Sequence, residues 1–399
     1  MNPNIQQLYN IAQKPERLII GLMSGTSMDG LDVALCRISG HGQSTAVKLE
    51  AFKTIDYSAN IKHEIREVFA KKSIDFQHLV LLNEWIGTLH GNMVLECLKL
   101  WEISPNQIDI VASHGQTVFH APKILHRIER FGNATLQIGD GDHVAASTGI
   151  ITLSDFRQKH IAAGGEGAPL AVYGDYFIFS DKSQNRIMLN MGGIGNFTYL
   201  PSSGNASEVF VTDTGPGNTL LDATIRQYFP NMAYDQDAAI AKQGTVNTAL
   251  LNALKDEPFF RASFPKTTGP ELFSLQYVKD AQAKSQTEGL SVYDLMATLT
   301  QFSIDTIAEA ILKTMLPNQT YFVYMSGGGM HNPMLVEGIK SKLPQTIFGK
   351  TDDLGISGDA KEAVLFAILA NEALVGQGTD FGNRQGVPSV SMGKVSFPK

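Results

Sequence analysis

Cysteine is nearly absent: 399 residues contain only Cys36 and Cys97, and neither sits in a CxxC or a Cys/His cluster. That excludes a disulfide framework and a zinc site, and leaves two reduced, buried thiols as the expectation. A basic stripe is also missing. The 32 Lys and Arg are outnumbered by 39 Asp and Glu, for a formal net charge of −7, so no nucleic-acid partner is expected. No run of about 18 apolar residues occurs, so no membrane span is expected. Met1 to Arg17 is polar, with Asn2, Asn4, Gln6, Gln7 and Asn10, and lacks the apolar region of a signal peptide. Together these absences point to a cytoplasmic protein. There is no GxxxxGK[ST], which excludes a P-loop, and no GxGxxG after the first strand, which argues against a nicotinamide-binding domain.

What is present is ordinary globular composition, 43% hydrophobic and 18% charged. The length suggests two domains of roughly 150–200 residues. Leu18 to Leu22 and Leu31 to Ile38 read as strands flanking a glycine turn. Ile61 to Phe69 and Phe76 to Trp101 carry helical spacing. Ile108 to Ser113, Thr135 to Ile138 and Ile150 to Leu153 read as strands, with a short helix over Gly141 to Ser147. Ala162 to Leu170 is small and glycine-rich, as a crossover should be, and a domain boundary is placed near there. Arg186 to Phe197 then repeats the opening strand–glycine–strand pattern as a weak internal echo. Strand Ser207 to Thr212, helix Thr219 to Tyr228, helix Ser291 to Met315, strand Thr320 to Met325, and helices Leu335 to Leu343 and Lys361 to Leu374 follow, with a closing strand near Ser391 to Val395. The alternation gives an α/β class with mixed sheets.

Three glycine-rich strand ends stand out. Ser24 and Gly25, Thr26, Ser27, Met28, Asp29, Gly30, Leu31 and Asp32 offer backbone donors and hydroxyls without bulk, which suits a polyphosphate. An ordinary tight hairpin uses the same Asp-Gly pair. Gly192 and Gly193 form the second turn. Gly327, Gly328 and Gly329 form the third, between a strand and a helix, where a nucleotide could lie against backbone or where the turn simply needs positive φ. Asp213, in DTGPGN after a strand, is a general-base candidate or a helix cap, and Asn218 or Thr219 could do that capping instead. His114 and Gln116 are neutral hydrogen-bonders suited to sugar hydroxyls, with a structural histidine as the alternative. Arg157 could hold a carboxylate or phosphate, or pair with an acid such as Asp155.

These blocks, in this order, resemble the anhydro-N-acetylmuramic acid kinase family. The matching pieces are GLMSGTSMDGLD (21–32), SHGQT (113–117), QIGDGDHVA (137–145), SDFR…AAGGEGAPL (154–170), LNMGGIGN (189–196), DTGPGNTLLDA (213–223), PKTTG (265–269), GGGMHNP (327–333) and GISGDAKEAVLFA (355–367). The resemblance implies two ribonuclease-H-like domains of the actin/hexokinase type around a central cleft. It places residues 1–158 and 380–399 in the N-terminal domain and 159–379 in the C-terminal one. It implies that residues 24–32, Gly192 and Gly193, and Gly327 to Gly329 bind ATP. Asp213 matches the family's catalytic aspartate, and Glu362 an acid near the sugar and phosphates. His114, Gln116, Arg157, Gly165, Glu166 and Asn218 fall to the substrate. ATP and Mg²⁺ are implied, with Asp29 and Glu362 as metal guesses, together with a homodimer. The implied reaction opens the 1,6-anhydro ring of N-acetyl-anhydromuramic acid with water and phosphorylates O6, in cell-wall recycling. A levoglucosan-type kinase and a non-catalytic ATP-binding regulator are the alternatives. The chain departs from the family at His160 (usually Asp), Glu166 (usually Gln), Pro270 (usually Arg) and the FGNRQG segment of 381–386.

Overall fold

The computed structural model describes residues 1–382 and 386–399; Asn383 to Gln385, within the FGNRQG departure, lie outside the described residues. The strands are β1 (Glu16–Ser24), β2 (Gly30–Ser39), β3 (Ala46–Asp56), β4 (Ile110–Ala121), β5 (Ala134–Ile138), β6 (Thr152–Ser154), β7 (Asn185–Met191), β8 (Ile194–Leu200), β9 (Phe210–Pro216), β10 (Tyr321–Ser326), β11 (Thr346–Lys350) and β12 (Lys394–Ser396). They form two sheets. The first runs β12-β6-β4-β1-β2-β3, with β5 also paired to β4, and the second runs β11-β10-β7-β8-β9.

The two sheets share one plan. In the first, β1, β2 and β3 form an antiparallel meander, while β4 lies parallel to β1 and β6 parallel to β4. In the second, β7, β8 and β9 repeat the meander, with β10 parallel to β7 and β11 parallel to β10. The strand–glycine–strand echo is therefore a repeat of topology, and each half has the order of a ribonuclease-H-like domain.

The chain divides into two compact units, residues 1–179 with 205–208 and 355–399, and residues 180–204 with 209–354. The expected boundary near 158 is thus displaced to 179/180. Residues 162–170 are not a crossover, and 355–379 return to the first unit. The cause is packing. In the Lys361–Val375 helix every residue from Ala363 to Glu372 is buried. Five of these are Val, Leu, Ile or Phe, each contributing ~1.5–3 kcal/mol on burial. The helix backbone lies so close to β1 that a Cβ on Gly21 would come within 1.9 Å of the Ala363 carbonyl oxygen. Its last turn is tied to the β2–β3 turn: Glu372 accepts from Gly42 N at 3.0 Å and from Thr45 Oγ1 at 2.9 Å, and Asn371 donates to Gly40 O at 3.1 Å. The Ala171–Phe179 helix packs on the same helix.

The first unit's core joins β1, β2 and β4 to the Phe76–Leu100 helix through Ile20, Leu22, Val33, Ile86, Val94 and Val111. The second unit's core centres on the Val292–Thr314 helix with Ile187, Leu189, Phe197 and Val323. That helix is long and apolar enough to cross a membrane, unlike the expectation from sequence, but 83% of its apolar window is buried, as a core helix should be. Cys36 and Cys97 are free and buried. Strand β3 was not expected. It is an edge strand whose residues alternate between half-buried and exposed except at the half-buried run Ala51, Phe52 and Lys53, and it carries Lys48 and Glu50 on its exposed side.

Candidate functional site

In the first unit, β1 delivers the 24–32 loop and β4 runs parallel beside it. Strand β4 is longer than expected, so His114, Gln116 and Thr117 lie within it rather than past its end. Gln116 is fully buried. Its amide nitrogen donates to Gly25 O at 2.8 Å and Thr117 O at 3.0 Å, and its oxygen accepts from Ser24 Oγ at 2.6 Å. Gln116 therefore shapes the loop, and its side chain does not face a ligand. Asp29 accepts from Ser27 Oγ at 2.7 Å, and this bond holds its carboxyl below the usual range. Asp32 is shifted upward, first by burial, with a Thr54 hydrogen bond at 2.5 Å opposing and the charges of Asp29 and Asp359 adding.

His114 is buried, and both ring nitrogens are engaged. Nδ1 lies 2.8 Å from Gly115 O and 3.2 Å from Ser24 O, so it carries the proton, and Nε2 accepts from Arg157 Nε at 2.7 Å. Burial drives its pKa down to about 3, with Arg157 adding. Arg157 also donates to Gly167 O at 2.8 Å. It does not pair with Asp155, which binds Lys394 at 2.9 Å. Glu362 opens the Lys361–Val375 helix and keeps solvent access. Desolvation raises its carboxyl, Arg157 and Lys361 pull it back, and Asp32 adds to the rise. Gly165 presses on the His160 ring, and Glu166 is exposed. His160 is a structural residue: Nδ1 accepts from Gly167 N at 3.0 Å, and Nε2 meets Tyr173 OH at 3.1 Å. Beside His114 opens a cavity of about 580 Å³, lined by Ser113, Gly115, Gln137, Asp140, Ser154 and Asp155. The Ser113 hydroxyl is buried with no partner among the described residues.

In the second unit, β9 carries Asp213 within the strand rather than beyond it. Its backbone N donates to Lys266 O at 2.9 Å, and its Oδ2 accepts from Thr268 N at 2.8 Å. It does not cap the Thr219–Tyr228 helix, and neither does the Asn218 side chain, which donates to Met191 O at 3.3 Å. Burial raises the Asp213 carboxyl against the pull of Lys266 and the Thr268 bond. Lys266 is itself pushed down to about 8 by burial, with Lys313 adding and Asp213 opposing. Neither Lys266 nor Thr268 was singled out from sequence. Their segment, PKTTG, was visible as a motif, but its contact with Asp213 crosses 55 residues.

The second unit also brings its glycines together. Gly193 O accepts from Gly217 N at 2.8 Å and Thr219 N at 3.0 Å, and Gly192 O from Asn218 N at 2.8 Å. Gly327 has φ +82°, and a Cβ there would lie 2.6 Å from Asn190 Oδ1, so only glycine fits. A cavity of about 290 Å³ lies beside Gly328, lined by Asn218, Leu221, Asp222, Tyr234, His331 and Asn332. Among the described residues, no group of three or more His, Cys, Asp or Glu could hold a metal by itself.

The family model described as "Anhydro-N-acetylmuramic acid kinase" matches residues 17–394. A protein of that name from Pseudoalteromonas atlantica is 57% identical over 400 residues, covering 100% of both chains. Another from Pseudoalteromonas translucida is 54% identical over 401 residues, again covering 100% of both. A third from Caldanaerobacter subterraneus is 37% identical over 399 residues, covering 98% of this chain and 100% of that one.

Proposed function

Since the chain belongs to the anhydro-N-acetylmuramic acid kinase family, and is thus a phosphotransferase acting on a small sugar, we propose that it uses ATP and water to convert N-acetyl-anhydromuramic acid to N-acetylmuramic acid 6-phosphate. Asp213 takes a proton from the water that attacks C1. The C1–O6 bond breaks, O6 forms its bond to the γ-phosphorus, and ADP leaves with the electrons of the P–O bond. The proton later departs from Asp213 to solvent. Asp213 suits this work because its Oδ2 is fixed by Thr268 N, which leaves Oδ1 to receive the proton. Burial also raises its basicity above that of an ordinary aspartate.

In the first unit the 24–32 loop offers donors suited to phosphates; in the second unit the Gly192-Gly193 turn does the same, and the Gly327–Gly329 loop and its cavity suit the adenosine. The polar wall of the larger cavity, Ser113, Gln137 and Ser154, offers partners for sugar hydroxyls. Arg157, next to Glu362 in charge, stabilises the anionic end of the substrates. Asp29, Asp32 and Glu362 are near enough for Asp29 to raise Asp32 and Asp32 to raise Glu362. Such oxygens fit Mg²⁺ held through water and substrate phosphates, which is how that ion is usually bound. When bound it would neutralise charge on the phosphates.

The single observation that carries this reading is the anchored, basicity-raised Asp213. Asp213→Asn should cut kcat by a factor of about 10³ or more, since it removes the base that activates water. ATP affinity, followed by calorimetry, should stay within a few-fold. Normal turnover in the variant would remove Asp213 from the reaction.

A further inference from the structure

A chain of hydrogen bonds runs from the core of the first unit to the root of the 24–32 loop, through two residues the reaction scheme does not use. Tyr57 and His90 are both buried. Tyr57 OH lies 2.6 Å from His90 Nε2 and 2.8 Å from Ser24 Oγ. Ser24 Oγ lies 2.6 Å from Gln116 Oε1. The backbone N of Tyr57 donates to Asp29 O at 2.8 Å. One residue therefore grips the loop near both of its ends.

The direction of the Tyr57 and His90 protons follows from counting. The Gln116 amide nitrogen faces two carbonyls, Gly25 O and Thr117 O, so the amide cannot be flipped and Oε1 must face Ser24. Ser24 Oγ faces two obligate acceptors, Gln116 Oε1 at 2.6 Å and Gly30 O at 3.0 Å, so its single proton is held on that side and not on Tyr57. The Ser24–Tyr57 contact then needs the Tyr57 proton. The Tyr57–His90 contact in turn needs a proton on His90 Nε2. That leaves His90 Nδ1 as a bare lone pair, and Nδ1 has no partner among the described residues. The reverse direction would bury an unpartnered N–H there and leave both Gln116 Oε1 and Gly30 O without the Ser24 proton. Burial keeps the imidazole neutral, with its pKa pushed down to about 3.

We propose that Tyr57 and His90 are positioning residues that hold the root of the 24–32 loop in its phosphate-binding shape through a one-way chain, His90 Nε2–H to Tyr57 OH, Tyr57 O–H to Ser24 Oγ, and Ser24 O–H to the loop-side acceptors Gln116 Oε1 and Gly30 O. The proposal rests on reading that loop as the phosphate site. It assigns no chemistry to either residue, since neither touches a substrate. Its signature is kinetic. A loop that loses its shape binds ATP poorly, so KM for ATP rises while KM for the sugar stays fixed. A merely structural lesion lowers the active fraction and leaves both KM values alone.

The test has two parts. In the first, ¹⁵N-histidine NMR of the intact protein should show, beside His160, whose Nδ1 accepts from Gly167 N, an imidazole that does not titrate between pH 5 and 8, with Nε2 protonated and Nδ1 free of any hydrogen bond, and Tyr57→Phe should perturb that resonance. Nδ1 protonation at His90 would overturn the chain. The second part is steady-state kinetics. Tyr57→Phe and His90→Leu should each raise KM for ATP about tenfold, a change of ~1.4 kcal/mol, the size of one lost buried hydrogen bond. The double variant should be no worse than either. His90→Gln, whose amide donates in the same sense, should recover most of the loss. Thr26→Ala and Ser27→Ala, within the loop itself, serve as the control. If they raise KM for ATP and Tyr57→Phe does not, the positioning role fails and the loop reading stands. If neither set changes KM for ATP, both fall.

Discussion

At the residue scale, charge and burial around Asp213 set a pH dependence. Its carboxyl is raised by burial and pulled back by Lys266. In the proposed role of base it must be ionised, so activity should fall on the acid side at a pH above the ordinary aspartate range. Lys266→Met removes the opposing charge and should move that acid limb of kcat/KM to higher pH; an unmoved limb would mean that another group controls it. The same shift bears on stability. A carboxyl raised in the folded state favours folding below its unfolded pKa and loses that contribution as pH rises through its folded value. At neutral pH the ionised, partly buried Asp213 is therefore a cost. Asp213→Asn should raise Tm by about 1–3 °C while abolishing turnover, as thermal melts of the two proteins would show.

The same scale shows the limits of reading residues from sequence. The glycine turns and Asp213 stand out in the sequence because their signals are local, with turn residues and an acid on a strand. Tyr57 and His90 do not, because each lies in an unremarkable stretch and gains a role only where β4, the Phe76–Leu100 helix and the loop meet. His160 was visible as a departure, but its purpose, closing Gly167 N and Tyr173 OH, is a tertiary fact.

At the element scale, the decisive contact is the Lys361–Val375 helix on β1. Its continuous burial was legible as a long apolar helix, but nothing in its pattern says which sheet it covers. The domain assignment failed there for that reason. Gly21 is the point of closest approach. Gly21→Ala places a methyl group against a carbonyl and forces helix and strand apart, at a cost of about 3 kcal/mol or more. Urea unfolding should show the loss in the first unit, and a variant as stable as the parent would contradict the packing described.

At the scale of the whole molecule, the two units differ in how they meet acid. His90 and His114 are held near 3 and His160 near 4, all three by burial and all three in the first unit. A histidine lowered in the folded state supports folding above its unfolded value, about 6.5. That support is lost as pH falls from there toward the folded values. The first unit should therefore weaken between pH 6.5 and 4 ahead of the second. Both tryptophans of the sequence, Trp85 and Trp101, lie in the first unit. Tryptophan fluorescence at pH 5 should melt at a lower temperature than helical circular dichroism, and coincident transitions would contradict the prediction. The repeated topology behind the two units was legible only as a glycine echo, because strand order depends on pairings far apart in the chain.

The central claim is that one enzyme opens an anhydro ring with water and phosphorylates the oxygen released. Its most direct test is to incubate the protein with N-acetyl-anhydromuramic acid and MgATP in ¹⁸O-water and take the mass and fragmentation of the product. The account predicts N-acetylmuramic acid 6-phosphate carrying one ¹⁸O, located at C1, with none in the phosphate. A phosphorylated product without label at C1, or label in the phosphate instead, would contradict it.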